Sequence, residues 1–214
     1  MMRRLLYLLL LWLAIGIHAS ARTPMRQWLV SMPDSVMPLL TKNDRLDFID
    51  FYDAQMAAVV TNRMEGKSRM DTLTDDFVHI AYTNVSDIAM KLLPINDSTD
   101  VLCMVTTVKA AVSDSRIAFF DAQWQPLEVS SYITEPTMRD FRSTLQNDSV
   151  EWAWAKVNIL FRTYALCAGR AELQCVCTAT DYLSDDERAE VAPYVRKEPL
   201  LYRWINGKFV CDEQ

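Results

Sequence analysis

Apolar residues change period along this chain, and the changes mark its segments. Leu5 to Ile17 is an apolar run without a charge, shorter than the roughly 20 residues a membrane-spanning helix needs. Arg3 and Arg4 precede it and Ala19-Ser20-Ala21 follow, the layout of a cleaved secretory signal peptide over 1–21 with Arg22 as the first mature residue. Further on, Leu46, Ile49, Tyr52 and Met56 recur at helical spacing, with Thr41 and Asp44 placed as a capping box, which predicts a helix over 42–59.

From Asp75 the period becomes two. The runs "DFVHIAYT", "SDIAMKLLP", "DVLCMVTTV", "SRIAFFD" and "WQPLE" are separated by Asn, Asp and Ser clusters, which predicts an antiparallel meander. In the first run Phe77, His79 and Ala81 share one face, and the more apolar Val78, Ile80 and Tyr82 share the other. After Pro136 the stretches "TEPTMRDFRSTL" and "SVEWAWAKVNIL" read as helices, the second with Ser149 as candidate cap. The alternation of Val150, Trp152 and Trp154 keeps a strand open there. Strands over "FRTYALC" and "LQCVCTAT" follow, then a short helix opened by the capping box Ser184 to Glu187. Asn206-Gly207 between two apolar runs predicts a closing hairpin.

The expected fold is α+β: antiparallel sheets with a few packed helices, divided into a helix plus meander over 22–134 and helices plus hairpins over 135–214. Two arrangements fit this order, a duplicated helix-plus-meander module or one continuous sheet with helices on one side.

Composition narrows the function classes. The formal net charge is −6, and loss of Arg3 and Arg4 with the leader makes it more acidic. No basic stripe is present, so nucleic acid is not an expected partner. No second long apolar run follows the leader, so no transmembrane segment is expected after cleavage. Beyond residue 21 there is one histidine, His79, and three scattered glycines, Gly66, Gly169 and Gly207. Phosphate-cradling loops need clustered glycines, and a Ser-His-Asp or Cys-His site would have to use His79, which reads as an ordinary strand-face residue. Asp47, Asp50 and Asp53 read as a solvated helix face. Cys103, Cys167, Cys175, Cys177 and Cys211 lack metal-ligand spacing and read as small core residues or as partners in a disulfide, with at least one left over. No catalytic, cofactor-binding or metal-ligating residue is therefore named, and no cofactor is expected.

Met32-Pro33-Asp34-Ser35, Leu40-Thr41-Lys42-Asn43, Arg45-Leu46-Asp47, Lys91-Leu92-Leu93-Pro94 and Lys197-Glu198-Pro199 carry a resemblance over nearly the whole mature chain. They resemble a family of secreted proteins from Bacteroidales known only as a domain of unknown function, and that resemblance implies location and architecture without an activity. Asp34-Ser35-Val36, Asp71-Thr72-Leu73, Asp97-Ser98-Thr99 and Asp148-Ser149-Val150 resemble the O-glycan acceptors of exported proteins in such bacteria. They make Ser35, Thr72, Ser98 and Ser149 candidate O-glycosylation sites. Asp-Ser and Asp-Thr pairs also serve turns and caps. The functional expectation is a non-enzymatic module of the periplasm or cell surface of a Gram-negative bacterium, binding an envelope protein or glycan. The alternative is a small carboxylate-based hydrolase or small-ligand-binding protein, for which converging carboxylates of perturbed pKa would be the mark.

Overall fold

The computed structural model describes residues 22–144 and 149–212. The expected leader and cleavage site lie outside the described residues. Helices α1 (Met25–Ser31) and α2 (Lys42–Asp53) come first. A seven-stranded antiparallel meander follows: β1 (Ala58–Thr61), β2 (Lys67–Leu73), β3 (Phe77–Thr83), β4 (Ser86–Pro94), β5 (Asp100–Lys109), β6 (Ser113–Phe120) and β7 (Pro126–Leu127), paired in chain order. After α3 (Ser149–Trp154), a four-stranded antiparallel sheet is built from β8 (Arg162–Leu166), β9 (Glu172–Cys177), β10 (Leu200–Ile205) and β11 (Lys208–Cys211). Helix α4 (Asp185–Val191) lies between β9 and β10. Each half thus holds a meander, of seven strands in one and four in the other.

Strand alternation sorts the apolar residues into two layers. Val78, Ile80, Met90, Leu92 and Leu102 point to one face of the large sheet and pack on Trp28, Leu29 and Phe48 of α1 and α2. Phe77, Leu93, Val101, Cys103 and Phe119 point to the other face and share a core with Tyr164, Leu173, Cys175, Leu200, Tyr202 and Phe209 of the small sheet. The order is helices, large sheet, small sheet. The segments over 22–134 and 135–214 meet in that shared apolar layer. Buried Lys91 fastens them, its ammonium 2.7 Å from Ala168 O and 2.8 Å from Asp76 Oδ2. Thr178 Oγ1 donates to Ser113 O at 2.6 Å, and Trp204 Nε1 to Pro94 O at 2.7 Å.

Three predicted elements differ. The helix expected over "SVEWAWAKVNIL" ends at Trp154. The helix expected over 42–59 stops at Asp53: Gln55 takes a φ of 56°, Met56 is exposed, and Ala58 already begins β1. The β-branched pair Val59-Val60 is better accommodated in a strand than in a crowded helical turn. Over its described residues, 134–144, the stretch "TEPTMRDFRSTL" forms one 3₁₀ turn, Met138–Phe141, rather than an α-helix. The Asp140 carboxylate accepts from Thr137 N and Oγ1 at 2.6 and 2.8 Å and closes the turn locally. Residues 145–148 lie outside the described residues, so the position preceding Ser149 does too; Ser149 itself is the first helical residue of α3.

Strands β1 and β2 have no counterpart in the predicted elements. In β2 the inward positions include Ser68, which masks the period. It is fully buried, receives Asn62 Nδ2 at 3.0 Å and donates to Tyr82 O at 2.7 Å. The closing hairpin is as expected, with Asn206 and Gly207 at φ of 49° and 80° and Trp204 opposite Phe209. All five cysteines are free. Burial raises the Cys103 thiol and pushes the Cys175 thiol up to about 12, so both behave as small apolar core residues.

Candidate functional site

The small sheet is narrower than the large one. Strand β8 lies over β4, β5 and β6 and the buried Phe77 end of β3, and the same face of β1, β2 and the rest of β3 stays open. This open face forms a groove of about 900 Å³ lined by Val59, Asn62, Lys67, Arg69, Asp71, His79, Ala81, Thr83, Asp87 and Lys109. A β-bulge between Met70 and Thr72 leaves Asp71 outside the regular pairing and aims it at its neighbours. Its carboxylate takes Arg69 Nε on one oxygen and lies 3.3 Å from His79 Nδ1 on the other. Asp87 is paired with Lys109 across the groove floor. His79 also borders a cavity of about 210 Å³ beneath β8, walled by Phe77, Ala89, Val105, Tyr164 and Leu166. The site is therefore a polar trough with a small apolar hole at its covered end.

His79 is a partly exposed residue whose one ionic neighbour, Asp71, is already bonded to Arg69. Replacing His79 with Gln is expected to shift stability by less than about 0.5 kcal/mol, as surface changes outside a buried network do. Thermal unfolding of the variant checks this, and a larger loss would give the His79–Asp71 contact a structural role.

A second recess, of about 730 Å³, lies between the 133–136 segment and the β10–β11 hairpin. Three carboxylates line it, Glu135, Asp140 and Asp212, and each is engaged. Glu135 receives Arg162 and, at 3.4 Å, the Tyr164 hydroxyl. Asp140 closes its own turn, and Asp212 lies 3.0 Å from Arg203. The carboxyl that burial does raise, Asp100, sits elsewhere, beside Arg22. Among the described residues no group of three or more His, Cys, Asp or Glu side chains converges as metal ligands, and no described helix is long and apolar enough to cross a membrane.

The four candidate glycan acceptors lie apart. Ser35 is exposed in the turn after α1, where Asp34 holds Arg45 at 3.1 Å and Arg63 at 2.8 Å. Ser98 is exposed in the β4–β5 loop, tied to Asn96 Oδ1. Ser149 is exposed at the start of α3, while Thr72 is half-buried within β2, opposite His79. The first three are accessible without opening a sheet; Thr72 is held in the ladder. Asp47, Asp50 and Asp53 lie exposed on α2, and Asp53 forms a two-point pair with Arg26.

The groove was not legible in the sequence because its second strand was not. The available signal was the outward polar set Lys67, Arg69 and Asp71 alternating with Ser68 and Met70.

No curated protein matches the chain. A solved structure of a domain of an uncharacterized protein from Porphyromonas gingivalis W83 is similar to it, with a TM-score of 0.78 and 27% identity over 89% of this chain and 98% of that one. A family model described as a protein of unknown function, DUF3256, matches residues 17–209, and the chain belongs to that family.

Proposed function

We propose that this protein is an exported, non-catalytic interaction module of a Gram-negative cell envelope, and that the open half of its large sheet is the docking face. The observation that carries the reading is the state of the groove's charges. Asp71 is fixed by Arg69 and His79, and Asp87 by Lys109. Side chains held this way give up little rotamer freedom on binding, which favours a polar partner surface. Both groove carboxylates, Asp71 and Asp87, are engaged in this way. The apolar leader before Arg22 supports export. The partner would be an envelope protein or glycan, with Ser35, Ser98 and Ser149 as the accessible O-glycan acceptors. The second reading, small-ligand binding, is favoured by the cavity of about 210 Å³ under β8. A carboxylate-based hydrolase is disfavoured by the engagement of Glu135, Asp140 and Asp212.

Site-specific photo-crosslinking in intact cells tests the proposal. A crosslinking residue at position 81, in the groove, is expected to give a discrete larger product in the periplasmic fraction. The same residue at position 47, on the outer side of α2, is expected to give none. N-terminal sequencing of that fraction is expected to read from Arg22. Equal products at both positions, or none at 81, overturn the docking face; a retained Met1 overturns export.

A further inference from the structure

The recess beside β11 differs from the groove in having open hydrogen-bonding capacity. Along the β10–β11 hairpin the cross-strand bonds alternate. Ile205 and Lys208 flank the two-residue turn, and Asp212 N donates to Leu201 O at 2.8 Å, so the bonded positions of β11 are 208, 210 and 212. The backbone N–H groups of Phe209 and Cys211 must then point away from β10. Phe209 N already uses this direction, donating to Tyr132 O at 2.7 Å, where Ile133 makes a single parallel bridge to β11. That pairing cannot continue. The next rungs would be Cys211 N–H to Thr134 O and residue 136 N–H to Cys211 O; Pro136 has no N–H for the second, and among the described residues the first is not formed, Thr134 O instead facing the Tyr202 hydroxyl at 3.5 Å. Cys211 N–H is left facing the recess, and among the described residues nothing takes it.

Arg196 lines the same recess and, among the described residues, has no acidic partner. Arg196 and Cys211 line the recess together; burial raises the Cys211 thiol, and Arg196 acts to lower it against Asp140 and Asp212. Of the recess's own acids, Glu135 and Asp212 are paired with Arg162 and Arg203, Asp140 is hydrogen-bonded to Thr137 and keeps its charge, and Lys208 adds a second cation to the lining. A backbone N–H and a free guanidinium converging on one concavity suit a planar two-oxygen anion, because the guanidinium fork matches carboxylate geometry.

We infer that the recess between the 133–136 segment and β11 binds a carboxylate at the end of an extended peptide, held by Cys211 N–H and Arg196. The peptide lies where the chain's own strand pairing breaks off at Pro136, in the manner of terminal-carboxylate capture.

The test is a titration of the ¹⁵N-labelled protein with N-acetyl-alanyl-alanine, followed by amide NMR. Parallel arms use its C-terminal amide, N-acetyl-glutamyl-alanine amide and inorganic phosphate. The free acid is expected to shift the Cys211 amide in a saturable way, and the amide to leave it unmoved. Arg196→Gln is expected to weaken the acid at least tenfold. Cys211→Pro removes the outward N–H without touching a β10 bond; followed on the Lys208 and Asp212 amides, which line the same recess, the free acid should no longer saturate it while the amide spectrum stays that of a folded chain. An equal response to acid and amide, an equal or stronger response to phosphate, or no saturation overturns the inference. The glutamyl arm separates a terminal from a side-chain carboxylate: saturation as strong as with the free acid overturns the terminal assignment.

Discussion

Replacing Arg45 with Met is expected to destabilise the protein by about 3–5 kcal/mol, the largest effect of any single substitution considered. Arg45 is fully buried on α2, and its guanidinium is the junction of the N-terminal region. Nε donates to Leu29 O at 2.9 Å, Nη1 to Leu40 O at 2.8 Å and to Asp34 at 3.1 Å, and Nη2 to Met32 O. Methionine fills similar volume but donates nothing. Three backbone carbonyls would lose their donor, and Asp34 would keep only Arg63. An unsatisfied buried polar group costs about 1–3 kcal/mol. For a chain of this size a loss of that order lowers the melting temperature by about 10 °C. Urea unfolding measures it, and a change below about 1 kcal/mol would refute the hub. Arg45→Lys is a sharp companion, because it keeps the charge and loses the fork; it should recover less than half of the loss.

Deleting residues 200–214 is expected to leave no folded monomer. The deletion removes β10 and β11, and with them buried Leu200, Tyr202 and Phe209 from the core between the sheets. Each such side chain is worth about 1.5–3 kcal/mol of burial, so three approach the whole stability of an ordinary domain. It also uncovers β9, whose Leu173 and Cys175 would lie on a bare strand edge, a template for aggregation. Size-exclusion chromatography with light scattering reads the outcome. A monomer that melts like the full chain would mean the hairpin is not part of the core. Gly207→Val is the mild version: it puts a β-branched residue at a φ of 80° and should cost only about 1–2 kcal/mol.

The Arg45 network also explains three of the sequence motifs singled out at the start. Met32-Pro33-Asp34-Ser35, Leu40-Thr41 and Arg45-Leu46-Asp47 are separate in sequence and meet at one guanidinium. Lys91-Leu92-Leu93-Pro94 is explained in the same way. Lys91 and Pro94 O tie the large sheet to the small one, while Leu92 and Leu93 face opposite apolar layers. These motifs fasten the fold.

The sequence alone determined what depends on near neighbours. Strands β3 to β6 follow from a period of two, the starts of α2 and α4 from their capping boxes, and the closing turn from Asn206-Gly207. Each is settled by residues within a few positions of one another. The end of α2 did not follow, because the helical spacing of Met56 competes with the β-branched Val59 and Val60, and pairing of β1 with β2 resolves the contest. Strand β2 did not follow either. Its buried Ser68 is tolerable only because Asn62 and Tyr82, on other segments, complete its hydrogen bonds. The groove is a still longer-range product. It exists because a four-stranded sheet covers a seven-stranded one only over β4–β6 and the Phe77 end of β3, and the position of β8 is set by contacts such as Tyr164 N to Ser115 Oγ at 3.1 Å, 49 residues apart. Local chemistry selected the elements; which faces they hide and which they leave open was decided by how two sheets of unequal width pack.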